Sequence, residues 1–76
     1  MFDVEVIKPG LPIDLKQVAT AERVREVIEY ALAGWGIPIP RIVQPARREE
    51  FAALLAETGE YHYVDGRARV TVKRSA

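Results

Sequence analysis

The sequence predicts a small two-layer α+β domain, order β-α-α-β-β, with a three-stranded antiparallel sheet packed on two helices. Three observations carry this expectation. The chain starts with a period-two apolar pattern, its middle holds two stretches of helical spacing, and an Asp65-Gly66 dipeptide separates two β-rich runs near its end. At 76 residues there is room for one hydrophobic core, so residues 1–76 are expected to form one domain.

The first strand is expected over residues 2–8, where Phe2, Val4 and Val6 point one way and Asp3, Glu5 and Ile7 the other. Pro9-Gly10 and Pro12 break it. Asp14 to Gln17 has the spacing of a capping box, which predicts a short helical turn. A helix follows over residues 21–33, with Thr20 as N-cap and Gly34 as left-handed C-cap. Val24, Val27, Ile28, Ala31 and Leu32 make its buried face; Glu22, Arg23, Arg25, Glu26 and Glu29 its solvent face, with Arg25 and Glu29 one turn apart.

Residues 35–45 read Trp-Gly-Ile-Pro-Ile-Pro-Arg-Ile-Val-Gln-Pro. The prolines forbid a helix and disfavour a central strand, so extended backbone is expected, with Arg41 to Val43 as a candidate edge strand. Pro45 suits the first turn of a second helix over residues 46–58, stopped by Gly59 and buried through Phe51, Leu54 and Leu55. The last element is a hairpin of residues 60–65 and 67–73. A two-residue Asp-Gly turn would pair Val64 with Arg67 and Tyr63 with Ala68. Tyr61, Tyr63, Ala68, Val70 and Val72 then face the helices, and Asp3 and Glu5 meet basic residues on the open face.

Composition removes several function classes. Eleven basic and eleven acidic side chains cancel, so no global field draws in nucleic acid or an anionic membrane. The absence of cysteine excludes disulfides, thiolate metal sites and cysteine nucleophiles, and leaves the redox compartment open. Apolar runs are shorter than a membrane span, and the acidic start lacks a signal peptide's charged region. The expectation is a cytoplasmic protein. Met1 and the short tail suggest a complete gene product. The arginine- and alanine-rich, asparagine-free composition suggests a GC-rich bacterial or phage genome.

Catalytic equipment is not apparent. His62 is the one histidine and the one side chain ordinarily titrating near neutrality, yet it reads as a half-exposed strand residue without nucleophile or oxyanion site. Glu60 and His62 share a face but do not close a zinc site. The single serine, Ser75, lies in the tail, and no Gly-rich phosphate loop exists. No enzyme activity, metal, cofactor or small-molecule substrate is expected.

The apolar content exceeds what five elements bury. Ile7, Leu11, Ile13, Leu15, Val18, Tyr30, Trp35, Ile37, Ile39, Ile42, Val43 and Val64 are left over. Trp35 between glycines, beside Ile-Pro-Ile-Pro, has the composition of an interface anchor. The expectation is therefore a non-catalytic interaction module that binds a protein partner or itself through Trp35, Ile37, Ile39, Arg41 and Ile42. The opposing reading is that this segment folds back and seals the core. Two helices followed by a basic hairpin also have the element order of a winged helix-turn-helix. Nucleic acid would then meet Arg47, Arg48, Arg67, Arg69, Lys73 and Arg74.

Overall fold

A computed structural model describes residues 1–75. Its elements are β1 (Phe2–Ile7), β2 (Asp14–Val18), α1 (Ala21–Ala33), α2 (Arg48–Thr58), β3 (Glu60–Asp65) and β4 (Ala68–Arg74). Short 3-10 turns lie at Arg41–Val43 and Pro45–Arg47. The four strands form one antiparallel sheet in the order β2-β1-β4-β3. The α+β class is as expected, but the sheet has four strands rather than three and the order is β-β-α-α-β-β.

The added strand is β2, where the capping-box spacing predicts a helical turn. An isolated helical turn fixes several dihedrals for one hydrogen bond. A strand folded back on β1 gains a whole ladder, from Phe2 opposite Val18 to Val6 opposite Asp14. The Pro9-Gly10 turn makes that return, with Gly10 at φ +74° and Leu11 N–H donating to Lys8 O at 3.3 Å. The ladder wins.

β1 and β4 are the central strands, and Val4 faces Val72 as Val6 faces Val70. These valines are buried beneath Val24, Ile28 and Leu32 of α1 and Phe51 and Leu55 of α2. Phe51 meets Tyr61 edge to face, ring centroids 5.3 Å apart. The termini close on one another through Ser75 N–H to Met1 O at 2.9 Å.

Thr20 caps α1 as expected, its hydroxyl accepting Arg23 N–H at 3.2 Å. Gly34 stays right-handed at φ −62°; the left-handed residue is Gly36, at φ +67°. Gly36 N–H donates to Ala33 O and Ile37 N–H to Leu32 O, both at 3.0 Å, which is a Schellman closure two residues later than expected. That closure turns Ile37 under the helix against Leu32 and leaves Trp35 on the outside.

Arg41–Val43 is a 3-10 turn and not an edge strand. Both edges of the sheet are held by other strands, and this segment crosses α1 and α2 instead. Its return buries Arg25, which the helical pattern had put on the solvent face. The guanidinium donates to Val43 O at 3.1 Å, to Glu22 at 3.0 Å and to Glu29 at 3.0 Å. Hydrogen bonding from Arg25 lowers the Glu22 carboxyl below its ordinary 4.5. The same pairing raises Arg25 above its usual value, against the opposing effect of burial.

The terminal hairpin is centred one position later than expected. Asp65 pairs with Ala68, Val64 with Arg69 and Tyr63 with Val70, so Gly66 and Arg67 occupy the turn. Neither has positive φ, which excludes the primed turns that an Asp-Gly pair favours in the middle. Asp65 instead takes the first turn position, where its carboxylate accepts Arg67 N–H at 3.0 Å. The shift moves each partner by two residues and therefore preserves the faces. Gly59 ends α2 with φ +73°, as expected.

Candidate functional site

Two helices do not cover four strands evenly. α1 packs on β1 and α2 on β3, while β2 packs mainly against β1. The chain's extent of only 16 Å along its shortest axis reflects one helix layer on one sheet, so the far face of the sheet is bare. On that face the strands align Gln17, Asp3, Lys73 and Glu60 in one row. Leu15, Glu5, Thr71 and His62 make the next, and Ile7, Arg69 and Val64 the third. Opposite charges alternate along the first row, and Gln17 Nε2 donates to Asp3 Oδ1 at 2.9 Å.

Among the large apolar side chains left exposed, Leu11, Ile13, Leu15 and Tyr30 gather around β2. Ile13 and Leu15 are 59% and 64% exposed, more than Trp35 at 44%. On the helix side, an open groove of about 480 Å³ lies between β2 and α1, lined by Lys8, Asp14, Lys16, Arg23, Val27, Tyr30 and Ala31. Lys16 pairs with Val4, and so points to the helix side of the sheet, where no helix covers it. An inward-pointing charge of this kind discourages non-specific pairing at an edge. These apolar residues stand out in the sequence as surplus, but nothing local gives them a place. The alternation of Ile13, Asp14, Leu15 and Lys16 was the available signal.

The expected interface segment divides. Ile37 is 3% exposed and belongs to the core; Ile39 and Ile42 are half-buried against it. Trp35 and Arg41 face outward. The segment thus seals the core with one side and leaves Trp35 and Arg41 exposed on the other.

The basic residues are spread over two faces. Arg67, Arg69 and Lys73 lie on or beside the bare sheet face, with Arg67 3.6 Å from Asp65. Arg47 and Arg48 belong to the helix layer, and Arg47 pairs with Glu50 at 2.7 Å. Arg74 folds over the end of α2, donating to Leu55 O at 2.7 Å and Ala56 O at 3.0 Å. It caps the helix carbonyls. β4, which carries Arg69, Lys73 and Arg74, is a central strand between β1 and β3.

His62 Nε2 sits 3.4 Å from Glu60 on the open face, with both side chains about half exposed. Among the described residues no group of three His, Asp or Glu side chains is placed to hold a metal. No helix among them is long and apolar enough to cross a membrane. Comparison with family models, curated proteins and solved structures returns no match for this chain.

Proposed function

We propose that the chain is a non-catalytic protein-interaction module, a small bacterial or phage accessory protein that acts by binding a protein partner or by self-association. One observation carries the reading: after the core is filled, four of the seven exposed large apolar side chains, Leu11, Ile13, Leu15 and Tyr30, lie around one sheet edge. Scattered apolar residues are ordinary on any surface, whereas a gathered set beside unpaired strand backbone favours association. Trp35 and Arg41, outward on the sealing segment, supply a second group of side chains that favour interfaces.

The test is a tagged pull-down from native lysate, divided into nuclease-treated and untreated halves. The reading expects the same retained protein, or the untagged chain itself, in both halves. Retention lost after nuclease would overturn it in favour of nucleic-acid binding through Arg67, Arg69 and Lys73. That competing mode would also weaken steeply with added salt.

A further inference from the structure

We infer that the free edge of β2 pairs with the β2 edge of a second copy of this chain, antiparallel, about a two-fold axis through Leu15. This rests on the interaction-module reading and names its partner. Asp14 and Lys16 pair with Val6 and Val4, so both point to the helix side, while Leu15 points to the bare side. Antiparallel pairing about Leu15 therefore sets Asp14 of each copy opposite Lys16 of the other. On the bare face it sets Leu15 against Leu15, and Ile13 against Gln17. Opposite charges and apolar contact coincide in one register. Neither Asp14 nor Lys16 has an ion-pair partner among the described residues.

The neighbouring register, centred on Lys16, brings two ammonium groups together and is disfavoured. The other edge is less suited: pairing β3 with itself about His62 or Tyr63 yields no opposite-charge pair. The groove beside β2 fits the same arrangement. Strands lie ~4.8 Å apart, so helices resting on β1 of each copy stand roughly 14 Å apart, beyond the ~8–10 Å of direct helix packing. Tyr30, 79% exposed on the groove wall, projects into that gap from both sides. The result is an eight-stranded sheet with an isologous interface.

Five paired residues per copy make a small interface, so association is expected to depend on concentration. Sedimentation between ~10 μM and ~1 mM reads it. The wild-type mass is expected to rise from 8.5 kDa toward twice that value. Asp14→Lys and Lys16→Asp each set like charges opposite one another twice, and each is expected to weaken association roughly tenfold or more. The double exchange restores it, as does mixing the two single variants. Circular dichroism confirms that each variant is folded. Because the chain has no cysteine, Leu15→Cys offers an independent readout. It is expected to form a covalent dimer on mild oxidation, whereas Val64→Cys on β3 is not. A wild-type chain that stays monomeric throughout, a double exchange that fails to restore association, or Val64→Cys cross-linking as well as Leu15→Cys would overturn the proposal. If the monomeric chain still retains a partner protein after nuclease, the proposal falls while the interaction-module reading stands.

Discussion

The two edges of the sheet are built differently. At β3, α2 lies over the strand, Phe51 packs on Tyr61, and Arg74 ties β4 to the last carbonyls of α2. At β2, the helix layer stops short and leaves Lys16 and Tyr30 in solvent, while Ile13 and Leu15 are exposed on the bare face beside them. Each strand has one unpaired side, yet only β3 is supported by a helix. An edge is therefore defined by what lies above it as much as by its missing ladder.

The contrast is open to direct tests. The largest expected effect is on the covered side: Phe51→Ala empties a fully buried site and is expected to cost about 3–5 kcal/mol in urea unfolding. Leu15→Ala, made in dilute monomer, is expected to change stability by less than about 0.5 kcal/mol. Equal costs would erase the distinction. Arg74→Ala removes two hydrogen bonds to helix carbonyls from a largely exposed side chain, and is expected to cost about 1 kcal/mol.

Titration should also distinguish regions. Burial, with the Tyr63 phenol beside it, pushes Tyr61 from 10 up to about 12. The folded state thus holds a proton that the unfolded chain gives up first. Stability from this group is complete below pH 10 and is lost as pH rises from 10 through about 12. Alkaline unfolding monitored by fluorescence should shift upward in Tyr61→Phe. Glu22 behaves in the opposite sense. Its carboxyl is lowered by Arg25, so its contribution is complete above 4.5 and fades as pH falls below that value. In Glu22→Gln the acid limb should flatten slightly, because the carboxylate is solvent-exposed and screened.

Much of this arrangement can be read from the residues. The alternation of β1, the three-and-four spacing of α1 and the faces of the last hairpin depend on local periodicity, which the fold preserves. Competition between local and long-range terms decides the rest. Asp14 to Gln17 has a capping box's spacing, yet ladder formation with β1 prevails. Gly34 and Gly36 are both capable helix stops, and burial of Ile37 against Leu32 selects Gly36. Arg25 looks solvent-facing because nothing local announces that Val43 returns to accept its hydrogen bond. The bare edge was hidden for the same reason. Its apolar residues are visible in the chain, but their gathering depends on which strand takes the edge of the sheet.

Amide hydrogen exchange at increasing protein concentration tests this account most directly, because it reads both edges in one experiment. In dilute solution the amides of β2 are expected to exchange well before those of β3. Raising the concentration should slow the outward amides of Asp14–Val18 and leave those of Glu60–Asp65 unchanged. Equal protection of the two edges in dilute solution would contradict the uneven coverage. Concentration-dependent protection confined to β3 would assign the interaction to the wrong edge.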